Sequence, residues 1–253
     1  MKRVFFWSVS ILAVLSIAVW YSSPDRQKSS EPPPQVVAPG PPPIRYPVEA
    51  GTAEEPLPPL SESDNLVRDA LRGLLGKNLE KFFNIDDIIH RIVATIDNLP
   101  RDQVSLRLMP VKRVPGLFVT TGTGENLAVS ARNATRYRPY VRLAEALPTE
   151  TLVAVYKRFY PLFQEQYENL GYPGGYFNDR LVDVIDHLLD APDLQPPLRL
   201  AQPRVLYEFS DPKLEQLSAG QKILLRMGRQ NALTVKAKLQ ELRRAVIAKP
   251  PSG

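Results

Sequence analysis

The run "VFFWSVSILAVLSIAVWY", residues 4–21, contains no charged residue, and residues 22–60 behind it carry twelve prolines. Together these stretches remove the first sixty residues from any globular core. As a helix the run spans roughly 27 Å, close to the hydrocarbon thickness of a bilayer. Lys2 and Arg3 precede it, and Trp20 and Tyr21 close it, as residues that favour the membrane–water interface do. A cleaved secretory signal is the rival reading. Bulky Val19, Trp20 and Tyr21 occupy the place where its small-residue cleavage site would lie. The expectation is an uncleaved single-pass anchor, with residues 1–3 cytoplasmic and everything after 21 exported. Asp25, Arg26 and Lys28 nearly balance on the far side, which weakens that orientation signal without reversing it. The expected location is therefore the inner membrane, with the C-terminal part in the periplasm.

Residues 22–60, with "EPPPQ" and "GPPPIRYP", have too little apolar side chain to form a core and favour extended polyproline II. They read as a disordered stalk. The sharper alternative is a proline-rich ligand for an aromatic groove. From Ser61 the composition becomes that of a folded domain, expected over 61–249, with a short tail at 250–253. The formal net charge is +5, which suits an anionic surface without demanding one. The chain has no cysteine, so disulfides, thiolate zinc sites and a cysteine nucleophile are excluded.

Helical periodicity is expected near 61–76, 84–100, 130–146, 149–170, 176–190, 211–226 and 229–248. Residues 104–129 look extended, with glycine turns that suit a hairpin, and "PPLRLAQPRVLYEF" is a second extended stretch. The fold class is mainly α: a single multi-helix domain with a small β-hairpin, preceded by one transmembrane helix and a stalk. In 149–170, Leu152, Val153, Tyr156, Phe159, Tyr160, Phe163 and Tyr167 share one half of the wheel. Pro161 lies on the polar half and is expected to kink one continuous helix. The stripe reads as core, with an aromatic binding groove as the alternative.

The chain has two histidines, and each follows an aspartate by four residues: Asp86 with His90, and Asp183 with His187. That spacing brings the side chains together on a helix. It suits a base and its orienting group, or two halves of a divalent metal site. On "YFNDRLVDVIDHLL" the residues Asp179, Asp183, Asp186 and Asp190 form one stripe opposite the apolar face. A straight helix cannot wrap ligands around an ion, so the stripe reads as a solvated acidic face. No cofactor and no metal is assigned.

Two glycine motifs are decoys. "LSAGQ", residues 217–221, has the letters of the ATP-binding-cassette signature, but the phosphate-cradling Gly-x-x-x-x-Gly-Lys-Ser/Thr loop is absent. Ser218 reads as a turn or helix-start residue and Gly220 as a local bend. "TGTGEN" lacks a dinucleotide fingerprint and reads as a hairpin turn. The basic residues say more. Arg132, Arg136, Arg138 and Arg142 form one run, and Lys236, Arg243 and Arg244 belong to another in which Glu241 is the only acid over 221–249. Behind an export anchor, an anionic envelope polymer or lipid headgroup is the accessible partner rather than nucleic acid. Plain solubility is the bland alternative.

"RIVATIDNLPRDQVSLRLMPVKRVPG", "RYRPYV", "YPLFQEQYENLGYP", "GYPGGYFNDRLVDVIDHLL" and "LSAGQKILLRMG" occur in this order. As a set they resemble a bacterial family, domain of unknown function 3014, over roughly residues 44–248. The resemblance implies a single-pass envelope protein on a proline-rich stalk. It brings no activity, so no catalytic residue is carried over. The expected role is non-enzymatic: an adaptor anchored in the lipid bilayer through residues 4–21 that binds an envelope protein or anionic polymer. The alternative is an envelope hydrolase or metal-dependent enzyme using Asp86, His90, Asp183 and His187.

Overall fold

The computed structural model describes residues 43–49 and 56–248, and the expected anchor at 4–21 lies outside these. No helix among the described residues is long and apolar enough to cross a membrane. They contain ten α-helices and four two-residue strands. The helices are α1 (Asp64–Leu75), α2 (Asn78–Phe82), α3 (Ile88–Asn98), α4 (Arg132–Ala146) and α5 (Thr149–Arg158). They continue with α6 (Tyr160–Asn169), α7 (Phe177–Leu189), α8 (Pro212–Glu215), α9 (Ala219–Arg226) and α10 (Arg229–Ile247). The mainly helical class expected from the sequence is what the domain has.

The strands form two small antiparallel pairs. β1 (Thr120–Thr121) pairs with β2 (Ala128–Val129), and β3 (Leu200–Ala201) with β4 (Glu208–Phe209). An isolated bridge from Ala128 to Arg199 joins the pairs. The turn in "TGTGEN" needs glycine at 122, where φ is 73° and an added Cβ would meet the Asn126 carbonyl oxygen at 2.3 Å.

The long α10 packs against α4, α5 and α7, while α3 packs against α6 and α7. An aromatic-rich core forms where α3, α6 and α7 meet. It contains Ile88, Ile89, Val93, Phe159, Tyr160, Phe163, Tyr167 and Phe177. Phe163 and Phe177 stack with ring centroids 5.8 Å apart. The aromatic stripe of 149–170 is therefore core. Burial drives the phenols of Tyr156 and Tyr160 far above the ordinary tyrosine range, so neither is poised for proton transfer.

Three expectations are corrected. Residues 149–170 are two helices that break at Phe159, where φ is −96° and ψ is 7°. Pro161 lacks the amide that a continuous helix would need, and instead occupies the first turn of α6, where no amide is required. The single helix expected over 211–226 is likewise α8 and α9, because Ser218 starts a new one. The third correction concerns the stalk boundary. Tyr46, Val48, Leu57 and Leu60, in the stretch assigned to the stalk, pack on the domain core.

Candidate functional site

Helix α7 explains how residues 43–49 are held. Its apolar face buries Val182, Val184, Ile185 and Leu188. The opposite stripe was expected to be solvated: Asp183 and Asp190 are exposed and Asp186 is half-buried, but Asp179 departs from that expectation. Asp179 is buried and accepts the backbone N–H of Arg45 at 2.9 Å and of Tyr46 at 2.8 Å. Buried Asn178 donates to the Tyr46 carbonyl at 2.9 Å and accepts from Tyr156 Oη at 3.0 Å. Tyr176 Oη accepts from the Val48 N–H at 2.7 Å. Asn178 and Asp179 therefore grip a strap (residues 43–49) rather than cap α7, whose N-cap is Tyr176.

Two more carboxylates of the stripe, Asp183 and Asp186, are paired as well. Asp183 bonds Arg45 Nη2 at 2.6 Å, a contact that holds the guanidinium above its ordinary pKa. Asp186 takes a two-pronged contact from Arg243 Nε and Nη2 of α10, which does the same for Arg243. Lys236 donates to the Leu189 carbonyl at 2.8 Å and also to that of Ala191, satisfying the C-terminal end of α7. On the α3 side, Arg180 Nε meets Asp97 Oδ1 at 3.0 Å. Asp97 is only 2 % exposed and also binds Arg101 at 2.6 Å and Tyr172 Oη at 3.1 Å.

The histidines do not converge. His90 lies on the first turn of α3, and Asp86 stands outside that helix in the turn before it, 3.6 Å from Arg68. The helical spacing assumed for that pair is not realised. His187 Nε2 is 2.9 Å from Ser218 Oγ, a partner 31 residues away that local sequence does not reveal. The adjoining Ala219 N–H donates to the Arg101 carbonyl, beyond the other end of α3 from His90. Among the described residues, no three His, Asp or Glu side chains gather as metal ligands would.

The Ser218–His187 contact is not arranged as a nucleophile and its base. Ser218 is buried and caps α9 in a capping box with Gln221, whose N–H donates to Ser218 Oγ at 3.2 Å. Asp183 points to Arg45 rather than to His187. A hydrolytic triad needs an accessible hydroxyl and an orienting carboxylate on the histidine, and both are missing here. Gly220 of the same "LSAGQ" run lies within α9, not at a bend. A Cβ there would come within 3.0 Å of the Leu99 carbonyl oxygen, so the motif marks close helix packing.

The basic residues separate into two groups. Lys236 and Arg243 serve α7, as above. Arg136 donates to the Pro115 carbonyl at 2.9 Å and the Gly116 carbonyl at 2.6 Å, fastening the loop before β1. Arg132, Arg138, Arg142 and Arg244 are exposed and make no ion pair among the described residues. Two of these share a site. Arg138 and Arg142 lie four residues apart on α4 and, with Lys81 of α2, line a groove of about 530 Å³. Asn78 and Thr135 add neutral donors, while Phe82 and Pro139 supply an apolar wall. The periodicity of α4 identifies Arg138 and Arg142; Lys81 and Asn78 arrive by the fold alone. A volume of this size accommodates a sugar- or phosphate-sized group.

No curated protein and no solved structure matches the chain. One family does, described as protein of unknown function (DUF3014), over residues 88–243. The match begins at α3 and ends at Arg243 in α10, so it takes in the α7 seam and the arginine face of the groove. With well over half of the 253 residues matched, the chain belongs to this family.

Proposed function

We propose that the protein is a membrane-anchored, non-enzymatic binding domain of the cell envelope, held in the periplasm on a proline-rich stalk, and that its α2–α4 groove takes an anionic partner. The observation that carries this reading is the groove itself. Lys81, Arg138 and Arg142 come from two helices to one concavity, with no carboxylate among its lining residues. Like charges held together without a counter-ion repel one another, and an anionic ligand relieves that repulsion. The partner expected from such a site is an acidic envelope polymer, bound through its carboxylates or phosphates with a sugar face against Pro139.

Two measurements test this reading separately. A compartment reporter fused after Gly253 should be active in the periplasm, and cytoplasmic activity would overturn the topology. Purified full-length protein should retain acidic cell-wall polymer in a pull-down, with binding that weakens as salt is raised. Reversing Lys81, Arg138 and Arg142 to glutamate should abolish retention while His187→Ala leaves it intact. Undiminished retention by the triple variant would remove the groove from the proposal.

A further inference from the structure

Three large apolar residues stand out of the surface at one part of the domain. Leu117 is 88 % exposed, Val205 86 % and Leu206 76 %, the highest values for large apolar side chains among the described residues. They sit on two loops, residues 113–119 leading into β1 and 202–207 joining β3 to β4. The loops are neighbours, because Phe118 and Tyr207, the residues directly after Leu117 and Leu206, bring their ring centroids to 6.0 Å. Both aromatics pack on one cluster, around Leu200, Phe209 and Leu225. Each loop is therefore rooted by an aromatic and turns its preceding leucine outward. A lone exposed leucine is ordinary, but three on adjoining loops form a patch that calls for an occupant.

The charge around the patch identifies that occupant. Residues 111–119 and 194–207 contain no Asp or Glu. They contribute exposed Arg113, Arg199 and Arg204, none ion-paired among the described residues. Protruding apolar tips on loops that carry cations and no carboxylate match a layered surface with phosphates outside and hydrocarbon beneath. Protein partners usually present the reverse, with aromatic anchors entering a pocket.

We infer that these two loops are a membrane-surface contact. Leu117, Val205 and Leu206 enter the headgroup boundary of an anionic leaflet, and Arg113, Arg199 and Arg204 meet lipid phosphates. The inference rests on the anchor reading only for proximity. Residues 22–42 reach at most roughly 75 Å when extended, so a domain tethered through them stays near the bilayer and a weak contact is sufficient.

The chain has no cysteine, so Gln202→Cys offers a unique label beside the hairpin tip; it keeps all three apolar side chains and gives up one bond, from Gln202 Nε2 to the Val205 carbonyl at 3.2 Å. Labelled full-length protein is reconstituted into phosphatidylcholine vesicles with or without phosphatidylglycerol, each carrying a headgroup-depth spin quencher. Glu165→Cys on α6 serves as the reference position. The label at 202 should lose most of its emission in the anionic vesicles and far less in the neutral ones, while that at 165 stays bright in both. Adding Val205→Ser and Leu206→Ser should restore the emission without changing the circular dichroism. Equal brightness at 202 and 165 in anionic vesicles would overturn the inference, as would quenching unaffected by the serine changes. Energy transfer between labelled copies in place of lipid quenching would replace the bilayer by a second copy of the chain. Protein that does not float with the vesicles would overturn the anchor and this contact together.

Discussion

On α7 the carboxylates of Asp179, Asp183 and Asp186 each hold a group from a distant part of the chain. On α4 the guanidinium groups of Arg138 and Arg142 face an open groove, with a lysine from another helix added to their charge. Both are stripes of one sign on an amphipathic helix. The first is internal wiring, where each charge is matched by a cation or a pair of amides and the gain appears as stability. In the second the charge is uncompensated, so what it contributes appears when something binds. The comparison gives a rule for this fold: a charged stripe is a candidate site only after the partners brought by the rest of the chain have been subtracted.

The largest predicted effect tests the wired side. Asp97→Ala removes the buried carboxylate that Arg180 reaches from α7 and leaves that half-buried guanidinium only the backbone carbonyl of position 97, 2.7 Å from Nη2. Breaking such a pair from one side should cost about 3 kcal/mol in urea unfolding. A loss below about 1 kcal/mol would mean the seam is solvated after all. Next comes Asp179→Ala, which strands the Arg45 and Tyr46 amides. Its expected cost is about 2 kcal/mol. Release of the strap should also make the chain around 43–49 sensitive to protease under native conditions, an effect Asp190→Ala should not have.

A smaller effect depends on pH and lies at the β end. Burial by itself would raise the Glu215 carboxyl, but bonds from Lys222 at 2.9 Å and from the Phe209 N–H at 2.8 Å outweigh it and leave the pKa lowered. A folded value below the unfolded one means the contribution is complete above the ordinary Glu value, about 4.3. It is then lost as pH falls through the folded value. Wild type should therefore exceed Glu215→Gln by about 1 kcal/mol at neutral pH, with the gap closing in acid. A gap that persists or widens there would refute the assignment.

Much of the helical layout was legible because apolar spacing is a local property. The pattern of Leu181, Val182, Val184, Ile185, Leu188 and Leu189 predicts α7, and the structure buries Val182, Val184, Ile185 and Leu188. What escaped prediction depends on contacts between remote residues. Asp179 looks exposed on a wheel because its partners are 133 and 134 positions away. The strap itself was hidden by composition: "PIRYPVE" reads as stalk, yet Tyr46 and Val48 alternate inward and its amides are satisfied by α7. His187 was visible as a candidate and Ser218 as a helix start, but not their contact. In the groove, Arg138 and Arg142 were visible from spacing, whereas Lys81 needed the fold to bring α2 alongside α4.

The smallest effect on stability is the one that most sharpens the contrast between the stripes. Lys81→Glu, Arg138→Glu and Arg142→Glu change groups that make no ion pair among the described residues, so each should move the unfolding free energy by no more than about 0.5 kcal/mol. Arg138→Glu combined with Lys81→Glu places two carboxylates where the groove had two cations, and a cationic peptide should then bind where acidic polymer did. Arg243→Glu is the matched change on the wired stripe. It sets a carboxylate against Asp186 and should destabilise the domain. Before unfolding, it should leave the affinity for acidic polymer unaltered. If instead the α4 changes unfold the domain and the α10 change abolishes binding, the roles of the two stripes are exchanged. The binding surface would then lie along α7 and α10.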